Sequence, residues 1–172
     1  MLMTDILPVE AWAALEQEIF EKFHVNAHVY NDKGAPFTGH VPYGNRFCPA
    51  LREHRAAAVT ICAGVNQALG LEVRETGETA ITDCDAGLYV VCVPVFVDGE
   101  LVGMVGGCGA FVDDTEAETF LIEKTSGLTE DQVAELCSDM PRLTGDQARE
   151  IGHWIAARVE AILKDFNARR AG

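Results

Sequence analysis

The feature that most constrains the fold is a pair of valine-rich runs separated by Asp98–Gly99. The runs cover residues 89–97 and 100–108. An Asp-Gly pair favours a two-residue hairpin turn because both turn positions adopt positive φ. The sequence therefore predicts two antiparallel strands. Their sheet must bury its apolar side chains against other elements.

An uninterrupted hairpin around this turn also predicts which residues share a face. Directly opposed residues of antiparallel strands project to the same side, and the turn would place Tyr89 opposite Cys108. Cys108 would then share a face with Tyr89, while Cys92 would lie on the other face. Unless a bulge intervenes at Gly106–Gly107, Cys92 and Cys108 cannot belong to one site.

Helical patterns flank the predicted hairpin on both sides. Apolar residues recur at helical spacing in residues 8–23, and residues 47–77 are mostly helical in pattern. After the hairpin, capping-box sequences begin at Thr115, Thr129 and Thr144. The order of elements predicts an α+β fold, with helices packed around an antiparallel sheet.

The last predicted helix, from about Asp146 to Phe166, is the longest. Its apolar stripe extends nearly to its end, so we predict that it supplies a self-association surface and that the protein is a homodimer. No composition break marks a domain boundary, and the chain is long enough to bury a core. Residues 1–172 are therefore expected to form one domain.

Charge and hydropathy limit the partners. The formal net charge of −14 disfavours binding to nucleic acid or to anionic lipid. The longest apolar run, residues 88–97, is far shorter than the roughly 20 residues of a membrane-spanning helix. The N-terminus lacks the basic and apolar regions of a secretory signal. We therefore expect a cytoplasmic protein with no membrane or nucleic-acid partner.

The chain has six cysteines and no C-x-x-C pair. In a reducing compartment they indicate metal binding, thiol chemistry or packing rather than disulfides. Cys92 and Cys137 are interpreted as small apolar fillers. No common enzyme motif is present, and no motif pairs a cysteine with His or Asp, so an enzyme with a cysteine nucleophile is the least favoured interpretation.

The middle of the chain resembles the PocR sensory domain, a ligand-binding module of bacterial regulators. The resemblance implies a PAS-like fold, with about five antiparallel strands and helices that enclose a pocket. The matching residues are Phe47–Cys48, Cys62, "CDAGL" from Cys84 to Leu88, "VPVFVDGELVG" from Val93 to Gly103, and "GGC" from Gly106 to Cys108.

The chain departs from the family pattern at two positions. Asp85 stands where the family has His, and Cys108 stands where it has Gln. The second change adds a fourth thiol to Cys48, Cys62 and Cys84. Four thiols from scattered positions suit an iron–sulfur cluster, such as the 4Fe–4S type, or tetrahedral zinc.

Two functions follow from this resemblance. The favoured hypothesis is a non-enzymatic sensor whose metal centre, an iron–sulfur cluster rather than zinc, reports redox state or a small molecule. The alternative is a metal-free domain that binds a small organic ligand beside Phe47, Asp85 and Tyr89. No output domain is recognisable, so the chain would signal through a separate partner protein or form part of a longer regulator.

Overall fold

The computed structural model describes residues 1–172. The strands are β1 (Asn26–Asn31), β2 (Ala80–Asp83), β3 (Tyr89–Val97), β4 (Glu100–Cys108), β5 (Phe111–Val112) and β6 (Arg142–Leu143). The centre of the molecule is a four-stranded antiparallel sheet in the order β1-β4-β3-β2, and a small parallel sheet pairs β5 with β6. The α+β prediction is confirmed, although the antiparallel sheet has four strands instead of about five.

The helices precede, interrupt and follow the sheet. They are α1 (Met3–Ile6), α2 (Val9–Phe23), α3 (Phe47–Arg52), α4 (Arg55–Ala57), α5 (Gly64–Thr76), α6 (Thr119–Ser126), α7 (Glu130–Leu136) and α8 (Gly145–Ala171). A π-helical segment, Ala58–Ala63, joins α4 to α5. The capping boxes at Thr129 and Thr144 are confirmed. At Thr115 the prediction is wrong, because its hydroxyl accepts a hydrogen bond from the Val112 N–H in a turn.

The hairpin turn is as predicted, but the strands that follow it contain a bulge. Asp98 and Gly99 have φ of 52° and 82°, as a two-residue Asp-Gly turn requires. The register then shifts between Val95 and Phe96, which leaves Val102 of β4 as the extra residue. One inserted residue moves every later side chain of that strand to the opposite face.

The predicted position of Cys108 in the sheet is therefore wrong. Cys108 lies opposite Val90 instead of Tyr89, and Gly106 lies opposite Cys92. Because Cys108 and Gly106 are two residues apart on one strand, Cys92 and Cys108 occupy the same face of the sheet. Tyr89 projects from the other face.

The two faces of the sheet pack against different helices. One face forms the largest core with α2 and α8. The other face forms a smaller core with α5 and carries Cys92 and Cys108. The apolar stripe of α8 belongs to the first core and is buried in its own chain, at Ile151, Ile155, Val159 and Phe166. That stripe is therefore not free for self-association, and the homodimer stays a prediction that needs another surface.

One helical stretch meets the length and composition of a membrane span, contrary to expectation. It runs from Arg55 to Thr76 over 22 residues, and 22% of its most apolar part is buried. A helix that packs on the core of a soluble protein can meet the same criteria. Leu69 and Val73 of this stretch are buried in the smaller core.

Candidate functional site

Four thiols line one cavity of about 40 Å³. They come from α3, the π-helical segment, the loop after β2 and the end of β4. These thiols belong to Cys48, Cys62, Cys84 and Cys108, and the cavity they line is called the thiol cavity below. Neither Cys92 nor Cys137 contributes to its wall. The structure therefore brings to one place the four cysteines that the sequence analysis selected.

The remaining wall of the thiol cavity is mostly apolar and contains no carboxylate. The apolar residues are Phe47, Leu51, Ile61, Val65, Ala86, Leu88 and Val90. The polar side chains are Asn26, Tyr30, Arg52 and Asn66. Sulfur without carboxylate oxygen is a soft donor set, which suits zinc and iron–sulfur centres rather than magnesium or calcium.

The π-helical segment carries Cys62 to the cavity. The Gly64 N–H bonds to the carbonyl of Val59, five residues earlier, so this turn is wider than an α-helical turn. Ile61 is buried on the inner side of the segment, and both Ile61 and Cys62 line the cavity. Single π-helical turns inside α-helices occur frequently at functional sites.

A tight turn after β2 fixes Cys84. The Cys84 N–H donates to the Leu88 carbonyl, and the Gly87 N–H donates to the Cys84 carbonyl, both over 2.8 Å. Gly87 has φ of 81°, and a Cβ there would lie 2.6 Å from the Glu116 carbonyl oxygen. Burial raises the pKa of the Cys84 thiol, although hydrogen bonds from the backbone N–H groups of Leu88 and Ala86 lower it.

Two buried asparagines connect Cys48 to Cys108. The Asn26 amide donates to Cys108 Sγ over 3.6 Å. Its Oδ1 accepts from the Gly44 N–H over 2.9 Å and from the Asn45 amide over 3.3 Å. Asn45 Oδ1 in turn accepts from the Cys48 N–H over 2.7 Å. The sequence analysis missed both asparagines. The only available signal was an Asn in a strand, where that residue is disfavoured.

Burial and mutual repulsion both disfavour the ionised forms of the cavity thiols. Burial raises the pKa of Cys108 to about 12, Asn26 and Arg52 oppose that rise, and Cys84 and Cys62 add to it. Burial also raises the pKa of Cys48, with a further contribution from Cys108. Cys48 and Cys108 are therefore protonated at neutral pH. No three potential ligand side chains lie close enough to hold a metal ion, so the thiols surround the cavity without forming a coordination sphere.

A smaller cavity of about 10 Å³ adjoins the thiol cavity, and a buried histidine lines it. His28 is 2% exposed, and both of its ring nitrogens lack a hydrogen-bond partner. Burial, and then the charge of Arg52, lower the pKa of His28 to about 3, so its ring is neutral. Cys92 lines this cavity together with Cys108. Sequence reasoning missed His28 because nothing local distinguishes it from an edge histidine.

The three predicted ligand-binding residues lie in different places. Phe47 is fully buried in the wall of the thiol cavity. Asp85 is exposed and outside that wall. Tyr89 is buried on the opposite face of the sheet, where its hydroxyl donates to the Ala148 carbonyl over 2.8 Å. The structure therefore brings only Phe47 to the cavity. Contacts of Asp85 or Tyr89 with a ligand would require a different site.

Comparison with known proteins gives one family. The family model described as "Sensory domain found in PocR" matches residues 5–165. No curated protein matches the chain. Among solved structures, the chain is similar to an "IcIR transcriptional regulator" from Alicyclobacillus acidocaldarius, at 16% identity over 85% of this chain and 67% of that chain. The TM-score of 0.28 is too low for this likeness to support any argument.

Proposed function

The chain belongs to the family of sensory domains found in PocR, and on that premise we propose that it is a non-enzymatic sensor whose sensing site is the thiol cavity. The favoured occupant is an iron–sulfur cluster held by Cys48, Cys62, Cys84 and Cys108. Zinc is the alternative metal. Changes in redox state, or a small molecule bound beside the centre, would be the signal.

The observation that supports this proposal is the convergence of four thiols on one cavity without carboxylates. The thiols come from separate elements, so the fold itself positions them. Thiolates are the ligands of iron–sulfur clusters and of many tetrahedral zinc sites. A bound cluster would supply a one-electron redox change inside a largely apolar enclosure.

The residues around the thiols fit such a centre. The Asn26 amide donates to Cys108 Sγ, and the backbone N–H groups of Leu88 and Ala86 favour the thiolate of Cys84. Hydrogen bonds to ligand sulfurs stabilise the thiolates and affect the reduction potential of a cluster. Loading would require the thiols to lose their protons and draw together, because they do not yet form a coordination sphere.

A metal-free sensor is the second candidate. In this alternative the thiols only pack, and the same cavity takes a small organic ligand. Apolar walls with a few polar groups, here Tyr30, Arg52 and Asn66, are typical of small-molecule sites. The unassembled thiols favour this alternative over the metal centre.

Transmission of the signal is also a proposal. The sensor would act in the cytoplasm through a separate partner protein, as a homodimer whose interface lies outside the buried stripe of α8. Light scattering of the purified protein tests the dimer. A monomer at working concentration would contradict the proposed homodimer.

Anaerobic metal loading tests the metal centre. The protein is reconstituted with iron and sulfide, or with zinc alone. Metal content, acid-labile sulfide and visible absorption are then measured. We expect stoichiometric metal in the wild type, and its loss when any one of the four cavity cysteines is changed to Ser.

Cys92→Ser and Cys137→Ser are the matched controls. Cys92 is buried on the same sheet face as Cys108 but does not line the thiol cavity. Both controls should keep the metal. Loss of metal from Cys92→Ser would contradict the proposed set of four cysteine ligands. If the wild type bound neither iron nor zinc, the metal-free sensor would be the supported alternative.

A further inference from the structure

Arg52 is the one charged side chain in the wall of the thiol cavity. It lies on α3, is half-buried, and faces the cavity together with Cys62 and Cys108. A guanidinium stays protonated under all ordinary conditions. The metal-free cavity therefore contains a fixed positive charge.

No carboxylate of the chain neutralises Arg52. The ion pairs of the protein involve other arginines, and none includes Arg52. Arg46, six residues earlier, pairs with both Glu135 and Asp139. The pKa of Arg52 is lowered by burial but raised overall by Cys62, Tyr43, Tyr30 and Cys108. In their ordinary protonated forms these groups are neutral. Removing a charge from water, even in part, without a counter-charge costs stability.

We propose that Arg52 is the counter-charge for an anionic occupant of the thiol cavity. The inference rests on the proposed function for the nature of that occupant. Four thiolates carry more charge than Zn²⁺ or the core of an oxidised iron–sulfur cluster, so either centre is negative overall. A neutral organic ligand would leave Arg52 without a counter-charge, so Arg52 favours the metal centre over that ligand.

The role of Arg52 as a counter-charge has two consequences. In the metal-free protein Arg52 lowers stability, because its charge is uncompensated. In the loaded protein it holds the centre more firmly and favours the more negative, reduced state of a cluster. A residue with a purely structural role would lower stability when it is removed from either form.

The test compares Arg52→Gln with Arg52→Lys. Gln removes the charge and keeps part of the side-chain stem, whereas Lys keeps the charge. Arg55→Gln is the control, since Arg55 is exposed nearby in α4 and outside the cavity wall. The melting temperature of the metal-free proteins, the rate of metal loss to a chelator and the midpoint potential of the iron-loaded proteins are measured.

We expect metal-free Arg52→Gln to melt above the wild type. In the loaded form it should lose metal about tenfold faster, as the loss of a charge-assisted interaction predicts, and have a lower midpoint potential. Arg52→Lys and Arg55→Gln should remain close to the wild type in all three measurements.

The possible results separate this inference from the proposed function. In one result, the wild type takes up no metal while metal-free Arg52→Gln still melts at a higher temperature than the metal-free wild type. That result would contradict the metal centre, and Arg52 would be the counter-charge of a different anion. A metal-free Arg52→Gln that melts at or below the wild type would overturn the counter-charge. Unchanged metal retention and potential in a loaded Arg52→Gln would overturn it as well.

Discussion

Asn26 and Cys108 lie directly opposite each other on β1 and β4, and the Asn26 amide donates to Cys108 Sγ over 3.6 Å. This contact joins an edge strand of the sheet to the thiol cavity. Because Asn26 also accepts from the Gly44 N–H and the Asn45 amide, it holds the segment that leads into α3 and Cys48. A side chain outside the cysteine pattern therefore helps to organise the site.

Replacement of Asn26 by Ala should destabilise the metal-free protein by about 1–3 kcal/mol, because the part-buried Gly44 N–H loses its acceptor and the buried Asn45 amide loses one of its two acceptors. Urea unfolding measures the change. Asn167→Ala, on the exposed side of α8, is the control and should stay within about 0.5 kcal/mol of the wild type. An unchanged midpoint for Asn26→Ala would mean that water replaces its hydrogen bonds.

Gly109, directly after β4, is expected to tolerate no side chain. It has φ of 81°, and a Cβ there would contact the amide of Asn26 and lie 2.7 Å from the amide nitrogen of Asn45. Gly127 has a similar φ of 74° with no atom within 4 Å. Gly127→Ala should therefore cost about 1 kcal/mol from backbone strain alone.

Gly109→Ala should cost clearly more than Gly127→Ala, because it also displaces the two asparagines that support the thiol cavity. Denaturant midpoints of the two variants give the difference. Equal costs would contradict the close packing around Gly109.

Removal of the polar ring of His28 should stabilise the metal-free protein. Both ring nitrogens are buried without a partner, so His28→Leu is expected to raise the free energy of unfolding by about 1 kcal/mol. His153→Leu, at an exposed position of α8, serves as the control. A clear loss of stability in His28→Leu would indicate that a bound molecule normally satisfies the ring.

The sequence predicted the elements that depend on local interactions. The turn at Asp98–Gly99 requires only its own backbone preferences, and the capping boxes at Thr129 and Thr144 require only residues within one helical turn. The choice of the four cavity cysteines followed from the family resemblance and from one departure, Cys108. Local patterns and motifs therefore sufficed for the fold class and for the thiols.

The register and the supporting residues depend on distant contacts that no local pattern contains. Gly103 is close to the side chain of Met3, and a Cβ there would lie 2.5 Å from the Tyr30 carbonyl. The alternation of apolar residues does not encode such contacts near the bulge, so Cys108 was placed on the wrong face. Asn26 and Arg52 were missed for the same reason, because their neighbours come from remote parts of the chain.

Glu16 should make the stability of the protein depend on pH. Its carboxylate on α2 is buried and accepts from the Val29 N–H and the Thr38 hydroxyl, each over 2.7 Å. Burial raises its pKa from 4.5 to about 7, although both hydrogen bonds lower it. Between these two values the folded state binds more protons than the unfolded state, so stability falls as pH rises through this window and levels off above about 7.

Glu16→Gln cannot ionise and should lack this decline. The free energy of unfolding, measured by urea titration from pH 5 to pH 8, should therefore fall less steeply in Glu16→Gln than in the wild type. The stability difference between the two proteins should shift in favour of the variant as pH rises. Glu160→Gln, at an exposed site on α8, should run parallel to the wild type. If the stability of Glu16→Gln also ran parallel to that of the wild type, Glu16 would not titrate in this pH range. A side chain that is always neutral removes whatever pH dependence Glu16 contributes, so a real contribution must change the slope.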